Sequence, residues 1–155
     1  MTLAIDVLEA AKSKNVMIVT AESCTGGMVA VALTDIAGSS QVVDRGFVTY
    51  SNAAKTDMLD VQSETLKRYG AVSEPVAKEM ALGALRHSAA RLAISVTGIA
   101  GPGGSQHKPE GRVCFACAID KELRVETIEF GALGRDQVRA AARDHALRMI
   151  LTALR

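Results

Sequence analysis

Short runs of β-branched apolar residues alternate along this chain with stretches whose apolar residues recur at helical spacing, and few folds accommodate that alternation. Residues 3–14 set Leu3, Val7, Leu8 and Ala11 on one helical face. Val16–Thr20 reads as a buried strand, residues 26–35 as a helix, and residues 42–51 as a second strand. Thr65–Tyr69 predicts a short helix closed by Gly70. Ser73-Glu74-Pro75 predicts the start of another, running to about His87, with Ser73 as N-cap and Pro75 in the first turn. Arg91–Val96 is a third buried strand, followed by a long glycine- and proline-bearing loop, Thr97–Gly111. Arg112–Ile119 and Leu123–Phe130, joined by Asp120-Lys121-Glu122, predict an antiparallel hairpin. Asp136–Leu154 closes the chain as an amphipathic helix with Val138, Ala142, Ala146, Met149 and Ile150 inward. Strands mixed with helices predict an α/β fold, a single-domain three-layer α/β/α sandwich. The hairpin makes its sheet mixed. No repeat or linker divides residues 1–155, so one domain is expected.

Composition narrows the partners. Only 3% of residues are aromatic and none is Trp, which argues against a stacking platform for single-stranded nucleic acid. Lys and Arg number 18 against 17 Asp and Glu, and no basic run breaks that balance. Nucleic acid is therefore not an expected partner. No apolar run approaches the ~20 residues of a spanning helix, so no membrane association is expected. The N-terminus lacks the unbroken apolar stretch of a signal peptide, and three cysteines suit free thiols in a reducing compartment. A cytoplasmic location is the expectation. A homodimer is expected only because small α/β enzymes often pair by two-fold symmetry.

Ligands of open α/β sheets gather where strand ends feed helix N-termini, and three segments follow strands in that way. The first is residues 21–27, AESCTGG. Its Ser23 sits in a strand-to-helix turn, the N–H groups after it are expected to be free because they begin a helix, and Gly26 and Gly27 permit close approach of a ligand. That suits a nucleophile beside an oxyanion hole or an anion site; it equally suits a plain helix N-cap by Ser23 or Thr25. The second segment places Tyr50 at a strand end and Lys55 in the turn or helix beyond it. A serine needs a neighbouring base. With no suitable histidine pattern, a lysine of lowered pKa or a tyrosine is the remaining candidate; a surface lysine beside a half-buried tyrosine fits the spacing as well. The Tyr-x4-Lys count is one too long for short-chain dehydrogenases, whose glycine segment also precedes the tyrosine. The third segment, residues 97–104 (TGIAGPGG), lacks a P-loop ending and does not fit Gly-x-Gly-x-x-Gly. Its glycines suggest backbone contacts to a phosphate or ribose, or simply turns.

No metal site is expected. Cys114 and Cys117 are an i, i+3 pair on a strand and so face opposite ways, with no second pair to complete a zinc site. His87, His107 and His145 read as surface or boundary residues, and without a His–Asp pair for Ser23 a conventional triad is not expected.

Taken together, residues 21–27 (AESCTGG), 35–40 (DIAGSS), 45–55 (RGFVTYSNAAK), 70–77 (GAVSEPVA), 95–104 (SVTGIAGPGG) and 108–113 (KPEGRV) stand in an order that closely resembles the CinA C-terminal-domain family. The resemblance spans residues 5–150. It implies a three-layer α/β/α fold and the deamidation of nicotinamide mononucleotide to nicotinate mononucleotide and ammonia, with no metal or organic cofactor. It implies Ser23 as nucleophile with Tyr50 and Lys55 as its acid–base partners. Lys55 would take the serine proton directly or through the tyrosine hydroxyl, with backbone N–H groups near Thr25–Gly27 holding the oxyanion. Substrate contacts carry over to Thr25, Gly26 and Gly27, to Thr97, Gly98, Ala100, Gly101 and Gly103 in the glycine loop, and to Arg135 and Arg139 in the closing R-x-x-V-R pattern. The alternative is a non-catalytic pyridine-nucleotide-binding module acting as a sensor or partner-binding domain.

Overall fold

The structure, a computed structural model, describes residues 2–155. Helix α1 (Thr2–Lys14) precedes strand β1 (Ile18–Glu22) and helix α2 (Met28–Thr34). A 3-10 turn at Ser39–Gln41 leads into β2 (Val43–Val48). Three helices follow, α3 (Asn52–Leu59), α4 (Ser63–Tyr69) and α5 (Glu74–Arg86), then β3 (Leu92–Gly98), β4 (Arg112–Ile119), β5 (Glu122–Glu129) and α6 (Arg135–Ala153).

The five strands form one sheet in the order β2-β1-β3-β4-β5. β1 runs parallel to both β2 and β3, and β3, β4 and β5 are successively antiparallel. The mixed sheet and three layers agree with the expectation from sequence. One layer holds α1, α2 and α6 over Ile18, Leu92, Ile94, Val96 and Phe115. The other holds α3, α4 and α5 over Val19, Ala21, Ala93, Ala116 and Ala118. Alternate strand residues serve opposite layers, as the pleat requires. Cys114 and Cys117 illustrate it, buried on opposite faces. The second face of the sheet is largely alanine, which lets α5 lie close. α3 in turn packs tightly on α5, since a Cβ on Gly83 would fall 1.8 Å from the Leu59 carbonyl oxygen.

Two boundaries differ from the sequence reading. β1 begins and ends two residues later than Val16–Thr20. Asn15 turns the chain in a left-handed conformation, Val16 N–H still bonds to Ala11 O, and the first bond to β2 is Ile18 N–H to Val42 O. Glu22 therefore lies in the strand, not in the turn. α2 correspondingly starts at Met28 rather than near residue 26, because Gly26 (φ 59°) and Gly27 (φ 108°) are both left-handed. No helix is long and apolar enough to cross a membrane among the described residues.

Candidate active site

Parallel pairing of β1 with β2 and β3 brings the ends of all three strands to one edge of the sheet. Backbone bonds carry that registry past the strands themselves. Ser23 N–H donates to Val96 O at 2.9 Å, and Thr49 N–H donates to Glu22 O at 2.9 Å. The serine turn, the Thr49–Tyr50 segment and the glycine loop consequently face one cleft of about 350 Å3, to which Arg135 adds a wall from α6.

Lys55 closes the floor. It lies in the first turn of α3, whose N-cap Ser51 accepts from Ala54 N–H at 3.0 Å. Only 1% of it is exposed. Its Nζ stands 3.0 Å from Ser23 Oγ, 2.9 Å from Thr49 O and 3.2 Å from Tyr50 O. Burial pushes its pKa down from 10.5 to about 8. The three partners match either protonation state. An ammonium would donate to all three; a neutral amine has two N–H groups for the two carbonyls and a lone pair left for the serine hydroxyl. No carboxylate neutralises the site by bonding to Nζ among the described residues.

Tyr50 contributes differently from the sequence expectation. Its carbonyl, rather than its phenol, meets Lys55 and the Ser23 hydroxyl, the latter at 3.5 Å. The side chain is 59% exposed, and its phenol oxygen accepts from Arg135 Nη2 at 2.7 Å. The other arm of the Arg135 guanidinium donates to Gly101 O at 2.6 Å.

The glycine loop brings Thr97, Gly98, Ala100, Gly101 and Gly103 to the cleft. Thr97 itself bonds to Ala71 O at 2.9 Å. Two charged residues to which the sequence reading assigned no role hold this loop. Glu110 accepts from Gly103 N–H at 2.7 Å and from Gly134 N–H at 3.1 Å, tying the loop to the start of α6. Gly101 (φ 94°) must be glycine there, because a Cβ would lie 2.5 Å from the Glu110 carboxyl carbon. Lys108 donates to the carbonyls of Tyr69 and Val72, fastening the loop to the α4–α5 junction.

Four of the residues expected to contact substrate lie outside the cleft. Gly26 and Gly27 line a separate depression with Val31, Asp35 and Arg143. Thr25 is fully buried and donates to Glu22 Oε1 at 2.6 Å. Arg139 donates to the carbonyls of Cys24 and Thr25. Nor are the helix N–H groups free. Val29 and Ala30 donate to the Glu22 carboxylate, and Met28 to Thr25 O. The N–H groups of Cys24, Thr25 and Gly27 bond to no other residue among those described, and of these three residues only Cys24 lines the cleft. The Cys24 thiol is pushed up to about 12 by burial and stays protonated. Glu22 stands in the 21–27 motif, and Lys108 and Glu110 in the 108–113 motif, but nothing in those motifs assigned the three residues a role.

No group of three metal-binding side chains occurs among the described residues. A second depression of about 400 Å3, between the β4–β5 hairpin and the end of α6, is lined by Cys117, Arg124, Met149 and Arg155. It gathers no buried charged side chain, unlike the cleft with Lys55.

The model of the CinA C-terminal domain matches residues 1–154. Nicotinamide-nucleotide amidohydrolase PncC of Escherichia coli (strain K12) is 50% identical over 151 residues, covering 97% of this chain and 92% of that protein. The protein of the same name from Enterobacter agglomerans is 52% identical over 155 residues, covering 99% and 92%. Among solved structures, a competence/damage-inducible protein from Agrobacterium tumefaciens superposes with a TM-score of 0.94 at 50% identity, covering 99% of this chain and 93% of that one. A CinA superfamily protein from Klebsiella pneumoniae gives 0.95 at 35% identity, covering 99% and 96%.

Proposed function

The chain belongs to the CinA C-terminal domain family, and from that premise we propose that it hydrolyses the carboxamide of nicotinamide mononucleotide to nicotinate mononucleotide and ammonia. The observation that carries the reading is the buried amine of Lys55, 3.0 Å from the hydroxyl of Ser23 with no bonded counter-charge. A serine hydroxyl is a weak nucleophile until a base takes its proton. With a pKa of about 8, roughly a tenth of Lys55 is already neutral at pH 7.

In this scheme neutral Lys55 takes the Ser23 proton as Oγ attacks the carboxamide carbon. The Cys24 N–H donates to the oxygen that gains charge. Such a donor contributes ~10²–10³ in turnover where it has been removed. The ammonium form of Lys55 returns its proton to the departing nitrogen, and ammonia leaves an acyl ester on Ser23. Lys55 then deprotonates a water that cleaves the ester, giving the acid and restoring the serine. Direct transfer is favoured over a tyrosine relay because the Tyr50 phenol is bonded to Arg135 and faces neither Ser23 nor Lys55 in any hydrogen bond. Arg135, with N–H groups to spare beyond Gly101 O and Tyr50, serves the 5′-phosphate. The enzyme is taken to act as one domain in the cytoplasm.

The test is ammonia release from nicotinamide mononucleotide by wild type, Ser23→Ala and Lys55→Ala. The scheme expects wild-type turnover and a loss of at least ~10²-fold in each folded variant. Binding of the nucleotide without any ammonia release by wild type would point instead to a sensor module.

A further inference from the structure

The turn that carries Ser23 is gripped by two residues of opposite charge that approach it from different sides. Glu22, the last residue of β1, which lies between β2 and β3 in the sheet, is 1% exposed. Its carboxylate accepts three hydrogen bonds: from Thr25 Oγ1 at 2.6 Å, from Val29 N–H at 2.9 Å and from Ala30 N–H at 3.0 Å. No cation bonds to it among the described residues. Gly27, which precedes α2, has no side chain to cap that helix, so Glu22 reaches forward and does so. A carboxylate is favoured at that helix end by the aligned peptide dipoles.

Arg139, in the second turn of α6, works on the carbonyl side. Nε donates to Cys24 O at 3.1 Å and Nη2 donates to Thr25 O at 3.2 Å. In a trans peptide the C=O and the N–H point in opposite directions, so fixing one fixes the other. The Ser23 carbonyl, which shares its peptide with the Cys24 N–H, accepts from Gly26 N–H at 3.0 Å. The Cys24 carbonyl is held by Arg139. Both peptides flanking Cys24 are thereby locked, and with them the directions of Ser23 Oγ and the Cys24 N–H.

We propose that Glu22 and Arg139 are a positioning pair: together they aim the serine hydroxyl and the adjacent N–H at one point above the cleft, and neither touches substrate. This rests on the reading that Ser23 is the nucleophile. It also removes Arg139 from the substrate contacts implied by resemblance, since Arg139 is absent from the cleft wall while Arg135 forms part of it. A misplacement of about 1 Å in such a constellation costs on the order of 10²-fold in rate. The loss falls on turnover, because the groups that meet the nucleotide stay in place.

The experiment compares Glu22→Gln, Arg139→Met and Arg139→Lys with wild type on nicotinamide mononucleotide. Glu22→Gln keeps the shape but turns an NH2 toward N–H donors that need an acceptor; Arg139→Lys can still reach one carbonyl. The expected result is a fall in kcat of at least about tenfold in Glu22→Gln and Arg139→Met. KM should stay within about twofold, the rising limb of the pH profile should not move, and Arg139→Lys should recover part of kcat. Should Glu22→Gln not fold, Thr25→Val removes one of the three bonds and carries the same expectation. A raised KM with unchanged kcat in Arg139→Met overturns the proposal by making Arg139 a substrate contact. Folded variants with wild-type kcat and a lower Tm overturn it by reducing the pair to a structural cap. Ser23→Ala is measured alongside. If it keeps activity, the nucleophile reading itself has failed; if it is dead while the Glu22 and Arg139 variants are fully active, only the positioning inference has.

Discussion

At the scale of single residues, the site turns on which atoms of Tyr50 and Lys55 face Ser23. Tyr50 presents a carbonyl to the lysine and lends its phenol to Arg135. Replacing Tyr50 with Phe removes the phenol and leaves the carbonyl. The direct-transfer scheme therefore predicts that Tyr50→Phe lowers kcat by less than about tenfold, with any larger effect in KM through the freed Arg135. A loss as large as that of Lys55→Ala, measured in the same ammonia assay, would assign the phenol to the proton path. Ser23, Tyr50 and Lys55 were legible in the sequence as residue types at strand ends, and family resemblance gave them roles. Which end of Tyr50 pointed inward was not legible, because a residue leaving a strand can present either its side chain or its backbone to a cleft. Glu22 was hidden for a similar reason. Nothing in a sequence says that a carboxylate will find one donor in the turn and two more at the start of the next helix.

At the scale of elements, α3 is where pattern reading was blind and where the site is most exposed to distant change. Its buried residues are Lys55 and Leu59, four apart on one face. A lysine at an inward position erases half of the apolar period, so the sequence left the stretch around Lys55 open between a turn and a helix, and residues 52–59 form two turns of helix. α3 is held against α5 at Gly83, where an added methyl group would overlap the Leu59 backbone. Gly83→Ala is predicted to push α3 away, destabilising the protein by about 1–3 kcal/mol through overpacking. Because Lys55 rides on the same helix, activity should fall more than the remaining folded fraction accounts for. Thermal unfolding and specific activity of the purified variant check both parts, and a wild-type Tm would show that the two helices are not in contact there. The other boundaries that moved, at β1 and α2, did so for backbone reasons. Left-handed Asn15, Gly26 and Gly27 delay each element by about two residues, and glycine-rich or Asn-bearing joints leave such delays open in sequence.

At the scale of the whole molecule, the topology explains why three segments far apart in sequence share one cleft. Parallel pairing of β1 with both neighbours puts their ends on one edge, and the antiparallel strands β4 and β5 bring the far end of the glycine loop and the β5–α6 junction with Arg135 to the same edge. The layers were legible because short apolar runs alternate with stretches of helical spacing along the chain, and the mixed sheet because a short polar joint at residues 120–122 marks a hairpin. Burial of Lys55 has a cost that the whole fold bears. Its folded pKa of about 8 lies below the ordinary 10.5 of an exposed lysine, so between those values the unfolded chain binds more protons. Stability contributed at this position therefore rises with pH across roughly 8 to 10.5, and the penalty is fully present below about 8. The difference in unfolding free energy between wild type and Lys55→Met, followed by denaturant titration, should shift in favour of wild type by roughly 3 kcal/mol across that window. A difference independent of pH would mean that Lys55 keeps its ordinary pKa in the fold.

The central claim, a buried amine that loses its proton readily enough to activate Ser23, can be read directly. Carbon-detected NMR of the lysine Cε resonances across a pH series, alongside kcat/KM on nicotinamide mononucleotide, measures the titration and its consequence together. The account predicts one lysine titrating near 8, missing from the spectrum of Lys55→Arg, and a rate that climbs with the same midpoint. Lysines that all titrate near 10.5, or a rate that ignores the titration of Lys55, would contradict it.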